Sequence, residues 1–179
     1  MKKLRNDELN RLTVGEFRKA EKAPIVVILD NIRSFNNVGS AFRTADAFRL
    51  KAIYLCGITA KPPHREIHKT ALGATDSVTW KYFKNTEDAI HELVGMGYKI
   101  VSIEQVDTGI MLNKFKPSSD EKYALVFGNE VMGVDDKVLN MSDFVLEIPQ
   151  KGTKHSFNIA VSIGIVLWDF YLKLNNDSS

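Results

Sequence analysis

Short apolar runs alternate along this chain with stretches whose apolar residues recur at helical spacing. Ile25–Leu29, Ala52–Cys56, Tyr98–Ile103, Tyr123–Gly128 and Phe144–Ile148 are continuous and largely apolar, and they read as strands buried on both faces. Val78–Phe83 alternates more, as an edge strand does. Helical patterns fill the intervals at roughly Val38–Leu50, Glu87–Met96, Asp135–Asn140 and Ser156–Leu174. In the first of these, Val38, Ala41, Phe42, Ala45 and Phe48 make one core-facing stripe. Strand and helix in turn predict an α/β domain with a mostly parallel sheet and helices on both faces.

Two segments lie outside that alternation. Residues 1–24 are charged and helix-like, with only Leu9, Leu12 and Phe17 as a thin apolar stripe. They read as a short arm ahead of a single domain at 25–179, either a solvated helix or an arm that touches substrate. The stretch Thr59–Lys69 holds Pro62 and Pro63 with several basic groups and is expected to be an exposed loop. His64, Arg65, His68 and Lys69 form a basic patch there that suits RNA phosphates or open solvent equally.

The last helix carries a different message. From Ile159 onward it is apolar nearly all round, so more than one face needs cover, and a homodimer interface is expected on it. Ser162, Gly164 and Asp169 interrupt the apolar stretch, which falls short of the ~18–20 residues of a membrane span.

Composition narrows the picture a little. A chain of 179 residues is about one domain long and needs no covalent staple. Its net charge of +2 permits a nucleic-acid partner without arguing for one. The single cysteine, Cys56, cannot form an internal disulfide, and no zinc-ligand spacing exists, so no metal is expected. With no signal-like start, a cytoplasmic protein is expected.

Three segments hold polar residues that a plain α/β core does not need. In Leu29–Phe48, Asn36 or Asn37 can cap the coming helix, Gly39 permits a close backbone approach, and Asn36, Ser40 and Arg43 share a face away from the core. In Leu125–Asp135 a buried strand ends in Gly128, followed by Asn129, Glu130 and Gly133; the carboxyl end of a parallel strand is where ligands meet backbone. In Leu146–Phe170 the strand breaks at Pro149, a polar loop follows, and Ser156 and Asn158 can cap the apolar helix. Each segment alone is compatible with an ordinary capped helix or turn.

In this order and spacing the three segments resemble the SpoU (TrmH-like) family of the SPOUT superfamily of RNA methyltransferases. Asn37-x-Gly39-x-x-x-Arg43 looks like its first motif and Phe127-Gly128-Asn129-Glu130-x-x-Gly133 its second. Ile148-Pro149 with Ser156-Phe157-Asn158 looks like its third. The resemblance runs from about Ala23 to the C-terminus and implies a deep trefoil knot near that end. It implies S-adenosylmethionine held by Ile103, Glu104, Gly128, Ile148, Gln150, Ser156 and Phe157. It further implies Arg43, Asn37, Glu130, Ser156 and Asn158 as the catalytic set, with Arg43 coming from the partner subunit and Glu130 orienting Arg43 or its neighbours across the interface. The reaction implied is methyl transfer to a ribose 2′-hydroxyl.

Members of this family that modify ribosomal RNA often carry an added N-terminal RNA-binding domain. With only about 24 residues before the first strand, too few for one, the resemblance implies transfer RNA as substrate ahead of ribosomal RNA. A non-catalytic RNA-binding relative is the alternative, set against the intact motif residues. An unrelated nucleotide-binding enzyme lacks the Walker or Rossmann loop it would need. His155 is a second candidate base. Cys56, Trp80 and Trp168 read as packing residues.

Overall fold

Among the residues that the computed structural model describes, 1–176, seven strands form one sheet. They are β1 (Ala23–Asp30), β2 (Leu50–Cys56), β3 (Trp80–Phe83), β4 (Tyr98–Ile103), β5 (Ile110–Met111), β6 (Lys122–Phe127) and β7 (Phe144–Glu147). Their spatial order is β3-β2-β1-β6-β4-β7-β5, and every pairing is parallel. The chain leaves β1 toward β2 and leaves β6 toward β7, so the winding direction reverses between the two central strands. In such sheets a crevice opens outside the carboxyl ends at that reversal.

Seven α-helices accompany the strands among the described residues: α1 (Val14–Lys19) before β1, α2 (Phe35–Ala47), α3 (Arg65–Ala71), α4 (Ala74–Ser77), α5 (Thr86–Gly95) and α6 (Asp136–Asn140) between strands, and α7 (Ile159–Asn176) after β7. Successive strand residues point to opposite faces. Val27, Leu29, Leu125 and Phe127 meet Phe42 of α2, Ile67 of α3 and Ile163 and Phe170 of α7 on one side. Val26, Ile28, Ala124 and Val126 meet Ile90 and Leu93 of α5 and Val138 of α6 on the other. The strands are continuous apolar runs because both faces are covered.

Several boundaries differ from the sequence reading, and three short elements, α3, α4 and β5, are absent from it. The expected exposed loop at Thr59–Lys69 contains the start of α3, which seats Ile67 in the core, and Thr59 is buried as well. Thr59 Oγ1 accepts from Ile32 N–H and donates to Leu29 O, closing the end of β1. Helix α2 starts at Phe35, and its cap is Ser34, whose hydroxyl accepts from Asn37 N–H; neither Asn36 nor Asn37 caps it. The helix also ends earlier, because Leu50 opens β2. The alternating segment begins its strand only at Trp80, at the sheet edge, after the short helix α4. β5 is a two-residue edge strand with no pattern to announce it.

The N-terminal arm is not wholly solvated. Thr13 caps α1 in a reciprocal box with Glu16, and Phe17 packs into the main core. At the other end α7 begins at Ile159, where Asn158 Oδ1 accepts from Ala160 N–H; Ser156 lies before it in the loop. The core-facing side of α7 is Ile159, Ile163, Val166, Leu167 and Phe170. Its outer side leaves Val161, Trp168, Tyr171 and Leu172 exposed. Trp168 is thus not a core residue: it is 52% exposed and stacks on Tyr171.

Candidate functional site

A cleft of about 780 Å³ opens at the carboxyl ends of β4 and β6. Its lining joins three stretches: Ile103–Val106 after β4, Phe127–Val134 after β6, and His155–Ile159 before α7. Of the residues assigned to cofactor by resemblance, Ile103, Glu104, Gly128, Ser156 and Phe157 line it. Ile148 and Gln150 line an adjoining hollow of about 100 Å³ that shares Ile103, Glu104, Ser156 and Phe157. Residues spread from 103 to 157 are therefore gathered at one place.

The 128–134 loop is shaped by its own contacts. Asn129 and Gly133 exchange backbone hydrogen bonds, each at 2.9 Å. The Asn129 side chain accepts from Val131 and Met132 N–H at 2.9 and 3.1 Å and donates to Asn31 O at 2.7 Å. A tight loop is thereby closed and pinned to the end of β1. Gly133 has a φ of +71°, where a side chain is strained. Glu104 Oε2 accepts from Val134 N–H at 2.9 Å, so this carboxylate braces the loop. Gly128, which lines the cleft, also makes a close approach within the loop. A Cβ there would run into the Gly133–Val134 peptide, so the close approach that demands glycine is backbone to backbone. Asn129 is absent from the expected site residues, although Asn after a strand with Gly four positions on is a tight-turn signal.

The next residue connects this loop to α2. The Glu130 carboxylate accepts from Arg33 N–H at 3.0 Å, Ser34 N–H at 3.1 Å and Asn37 Nδ2 at 3.1 Å. An anion at a helix N-terminus meets unpaired amide donors and the positive end of the helix dipole. Burial works to raise the Glu130 pKa, but the hydrogen bonds from Arg33, its own amide, Asn37 and Ser34 outweigh it and hold the carboxyl below its usual value. The carboxylate orients the start of α2 within its own chain. Asn37 then accepts on Oδ1 from Asn158 Nδ2 at 3.2 Å. Three residues of the expected catalytic set, Glu130, Asn37 and Asn158, form one hydrogen-bonded line.

The other two stand apart from it. Ser156 is exposed on the loop and lines the cleft beside His155. Arg43, two turns along α2 from Asn36, is exposed and outside the lining of both hollows. Gly39, between them on α2, faces α3: a Cβ there would strike Thr70 Oγ1 and Ile67 O, so the close approach read from the sequence is a helix–helix contact. Cys56 is buried, and burial pushes its thiol up to about 12, which leaves it an inert core residue. No group of three or more potential metal ligands occurs among the described residues, and no helix there is long and apolar enough to cross a membrane.

A doubly wound parallel sheet with a cleft at the carboxyl ends of β4 and β6, next to the winding reversal, walled by three loop segments rather than a glycine-rich phosphate loop, defines an α/β domain outside the Rossmann class. The chain belongs to the SpoU rRNA Methylase family, whose model matches residues 24–168. It is 31% identical over 159 residues to an uncharacterized tRNA/rRNA methyltransferase of Borreliella burgdorferi, covering 89% of this chain and 68% of that protein. It is 27% identical over 154 residues to a tRNA (guanosine(18)-2'-O)-methyltransferase of the same organism, covering 86% of this chain and 69% of that one. Among solved structures, an AdoMet-bound rRNA methyltransferase from Sinorhizobium meliloti superposes with a TM-score of 0.76 at 27% identity. That match covers 86% of this chain, which spans only 58% of the Sinorhizobium chain.

Proposed function

We propose that this protein transfers the methyl group of S-adenosylmethionine to a ribose 2′-hydroxyl of RNA, with transfer RNA the favoured substrate, and that it works as a homodimer. The observation that carries the reading is the line Glu130–Asn37–Asn158 at the rim of the cleft. It sets polar groups of two loops and a helix start in fixed orientation, as positioning a weak nucleophile requires.

The cleft suits the cofactor. Its volume falls in the ~300–1,000 Å³ range of small-molecule sites. Ile103, Phe127 and Ile159 supply apolar wall for a base, while Asn129, Ser156 and Ser162 supply polar groups for the ribose and amino-acid end. Bound there, the cofactor supplies an electrophilic methyl on a sulfonium centre. Ile148 and Gln150 extend the same wall in the adjoining hollow. Ser156 and Asn158 shape the end of the cleft nearest α2.

Arg43 serves the developing alkoxide. A guanidinium stays protonated in proteins, so it acts by stabilising negative charge and holding the adjacent phosphate, not by taking a proton. Arg43 does not line its own chain's cleft, so a second copy brings it to the reacting oxygen. The exposed apolar side of α7 supplies the surface for that copy.

The trefoil knot belongs to the same reading. The chain leaving β7, which lies beyond β4 and β6 from β1, returns to the start of α2, where Asn158 meets Asn37, and that return across the sheet is where the knot of this reading forms. A cytoplasmic setting goes with an RNA substrate and with the lone unpaired Cys56. The relative named for tRNA guanosine 18 supports the preference for transfer RNA, and the one named for rRNA keeps ribosomal RNA as the second substrate to test.

The test is transfer of labelled methyl to unmodified transfer RNA and ribosomal RNA in parallel, with the modified ribose mapped. Label on transfer RNA supports the full reading, and label on ribosomal RNA alone moves the substrate. Binding of S-adenosylhomocysteine without any transfer makes the protein a non-catalytic relative.

A further inference from the structure

A second groove, of about 520 Å³, lies away from the cleft, between α3 and β3. Pro62, Pro63, His64, Arg65, His68 and Trp80 line it, together with Asp76. Trp80 is half-buried: it packs against the core and also forms part of the groove wall. Within the basic patch of the sequence, Lys69 is engaged by Glu66 at 2.8 Å, which leaves Arg65 and the two histidines to the groove. His64 is held in place. Its ring stacks on Phe35 with centroids 4.1 Å apart and planes 9° from parallel, and its Nδ1 accepts from Glu66 N–H at 3.2 Å. A neutral ring so placed carries its proton on Nε2, which is left as a donor.

Phe35 is the first residue of α2, the helix whose start Glu130 grips. The groove therefore begins beside the line Glu130–Asn37–Asn158 and runs away from it along α3. Thr70 of α3 donates to Asn36 O at 3.1 Å, which fixes the two helices to one another. An end with the Arg65 guanidinium and the His64 Nε2 donor, and an aromatic end with an exposed carboxylate at Asp76, match the two ends of a nucleotide. Arg18 donates to the backbone oxygen of Asp76, so its carboxylate is not the group it holds.

We propose that this groove binds one unpaired nucleotide of the RNA, next to the ribose that is methylated. Its phosphate lies at Arg65 and His64, its base stacks on Trp80, and a base amino group donates to Asp76. The proposal rests on the RNA reading above and adds a subsite and a base preference to it. Stacking on an aromatic side chain tolerates any base, so the preference comes from Asp76.

The experiment titrates the whole protein with two single-stranded RNA probes, oligocytidylate and oligouridylate, whose bases carry a 4-amino group with an N3 acceptor and a 4-oxo group with an N3–H respectively. Tryptophan fluorescence is followed in the wild type and in Trp80→Phe, which retains Trp168. The wild type is expected to show a quench that Trp80→Phe loses, and oligocytidylate is expected to bind several-fold more tightly than oligouridylate. Asp76→Asn should abolish that difference. Arg65→Ala should lower the slope of log affinity against log salt by about 0.7, one single-strand phosphate contact. Binding of S-adenosylhomocysteine should be unchanged in all three variants.

If the wild type methylates RNA while these variants bind both probes as it does, the subsite is overturned and the RNA reading stands. The same holds if RNA leaves Trp80 fluorescence unmoved, as a groove built for a protein partner would. If the wild type neither binds nor methylates RNA, both fall together.

Discussion

Asn37 and Asn158 lie 121 positions apart and meet amide to amide, Asn158 Nδ2 donating to Asn37 Oδ1 across 3.2 Å. The Asn37 amide is thereby oriented from both ends, since its Nδ2 donates to the Glu130 carboxylate. Asn37→Asp replaces that donor with an acceptor and sets two carboxylates against each other. It is expected to cost ~1.5–3 kcal/mol of stability at neutral pH, the usual size for a hydrogen bond to a charged group. Methyl transfer should fall far more than cofactor affinity. Urea unfolding and single-turnover transfer check the two parts; an unchanged rate would remove the line from the mechanism.

Glu130 makes part of the stability pH-dependent. Its folded pKa is lowered, so its contribution is fully present above the unfolded carboxyl value and is lost as pH falls through the folded one. Glu130→Gln should therefore be less stable than the wild type at neutral pH. The gap between their urea midpoints should close as pH drops below ~4, where the unfolded carboxyl titrates. A gap independent of pH would mean that the carboxylate charge does no work at the start of α2.

Gly39→Ala tests the packing of α2 on α3. Within an ordinary helix this change stabilises by up to ~1 kcal/mol. Here the new methyl meets Thr70 Oγ1 and the Ile67 carbonyl, so the helices must part. The expected outcome is the opposite sign, a loss of ~1–3 kcal/mol as for other overpacked sites. Thermal unfolding decides it, and a raised midpoint would show that α3 can yield.

Arg43 is exposed, so Arg43→Ala and Arg43→Lys should both fold and bind S-adenosylhomocysteine as the wild type does. Both should lose methyl transfer, because an ammonium cannot supply the planar fork of donors. The loss should appear in turnover, as for an interaction made in the transition state. Co-expressed Arg43→Ala and Asn158→Ala chains should regain activity if Arg43 acts in the partner's cleft. Mixed subunits with no recovery would place Arg43 and the cofactor on the same chain.

Two residues of α7 separate folding from assembly. Ile163 is 0% exposed and Trp168 is 52% exposed. Ile163→Asp buries an unpaired charge and should unfold the chain, a cost of several kcal/mol. Trp168→Asp should leave the fold intact and yield a monomer in sedimentation. A wild-type monomer at micromolar concentration would end the homodimer reading.

What could be read from the chain was local or periodic. Continuous β-branched runs declared the central strands, because a strand covered on both faces carries little polar residue, and the helical stripe of Val38, Ala41, Phe42 and Ala45 declared the buried face of α2. The motif residues were legible for another reason: three polar segments at strand ends and helix starts, each compatible alone with an ordinary cap or turn, together match the order and spacing of one family. Short elements were not legible. α3 carries one buried side chain of any size, Ile67, among charged neighbours, and β5 has two residues, so neither builds a period. The cap of α2 was misplaced because Ser34, Asn36 and Asn37 are all competent caps, and only the position of Glu130 against Arg33 and Ser34 selects among them.

By itself, then, the sequence determined the layered α/β architecture, the buried strands and the polar segments that stand at their ends. The tertiary structure alone decided which of those segments touch. It turned Glu130 to its own α2, set Gly128 against the Gly133–Val134 peptide, and made Trp80 part of a groove. It also divided α7 between core and outer face. The physical reason is range. Burial patterns are written in neighbours a few positions apart, whereas a hydrogen bond across 121 residues depends on the winding of the whole sheet.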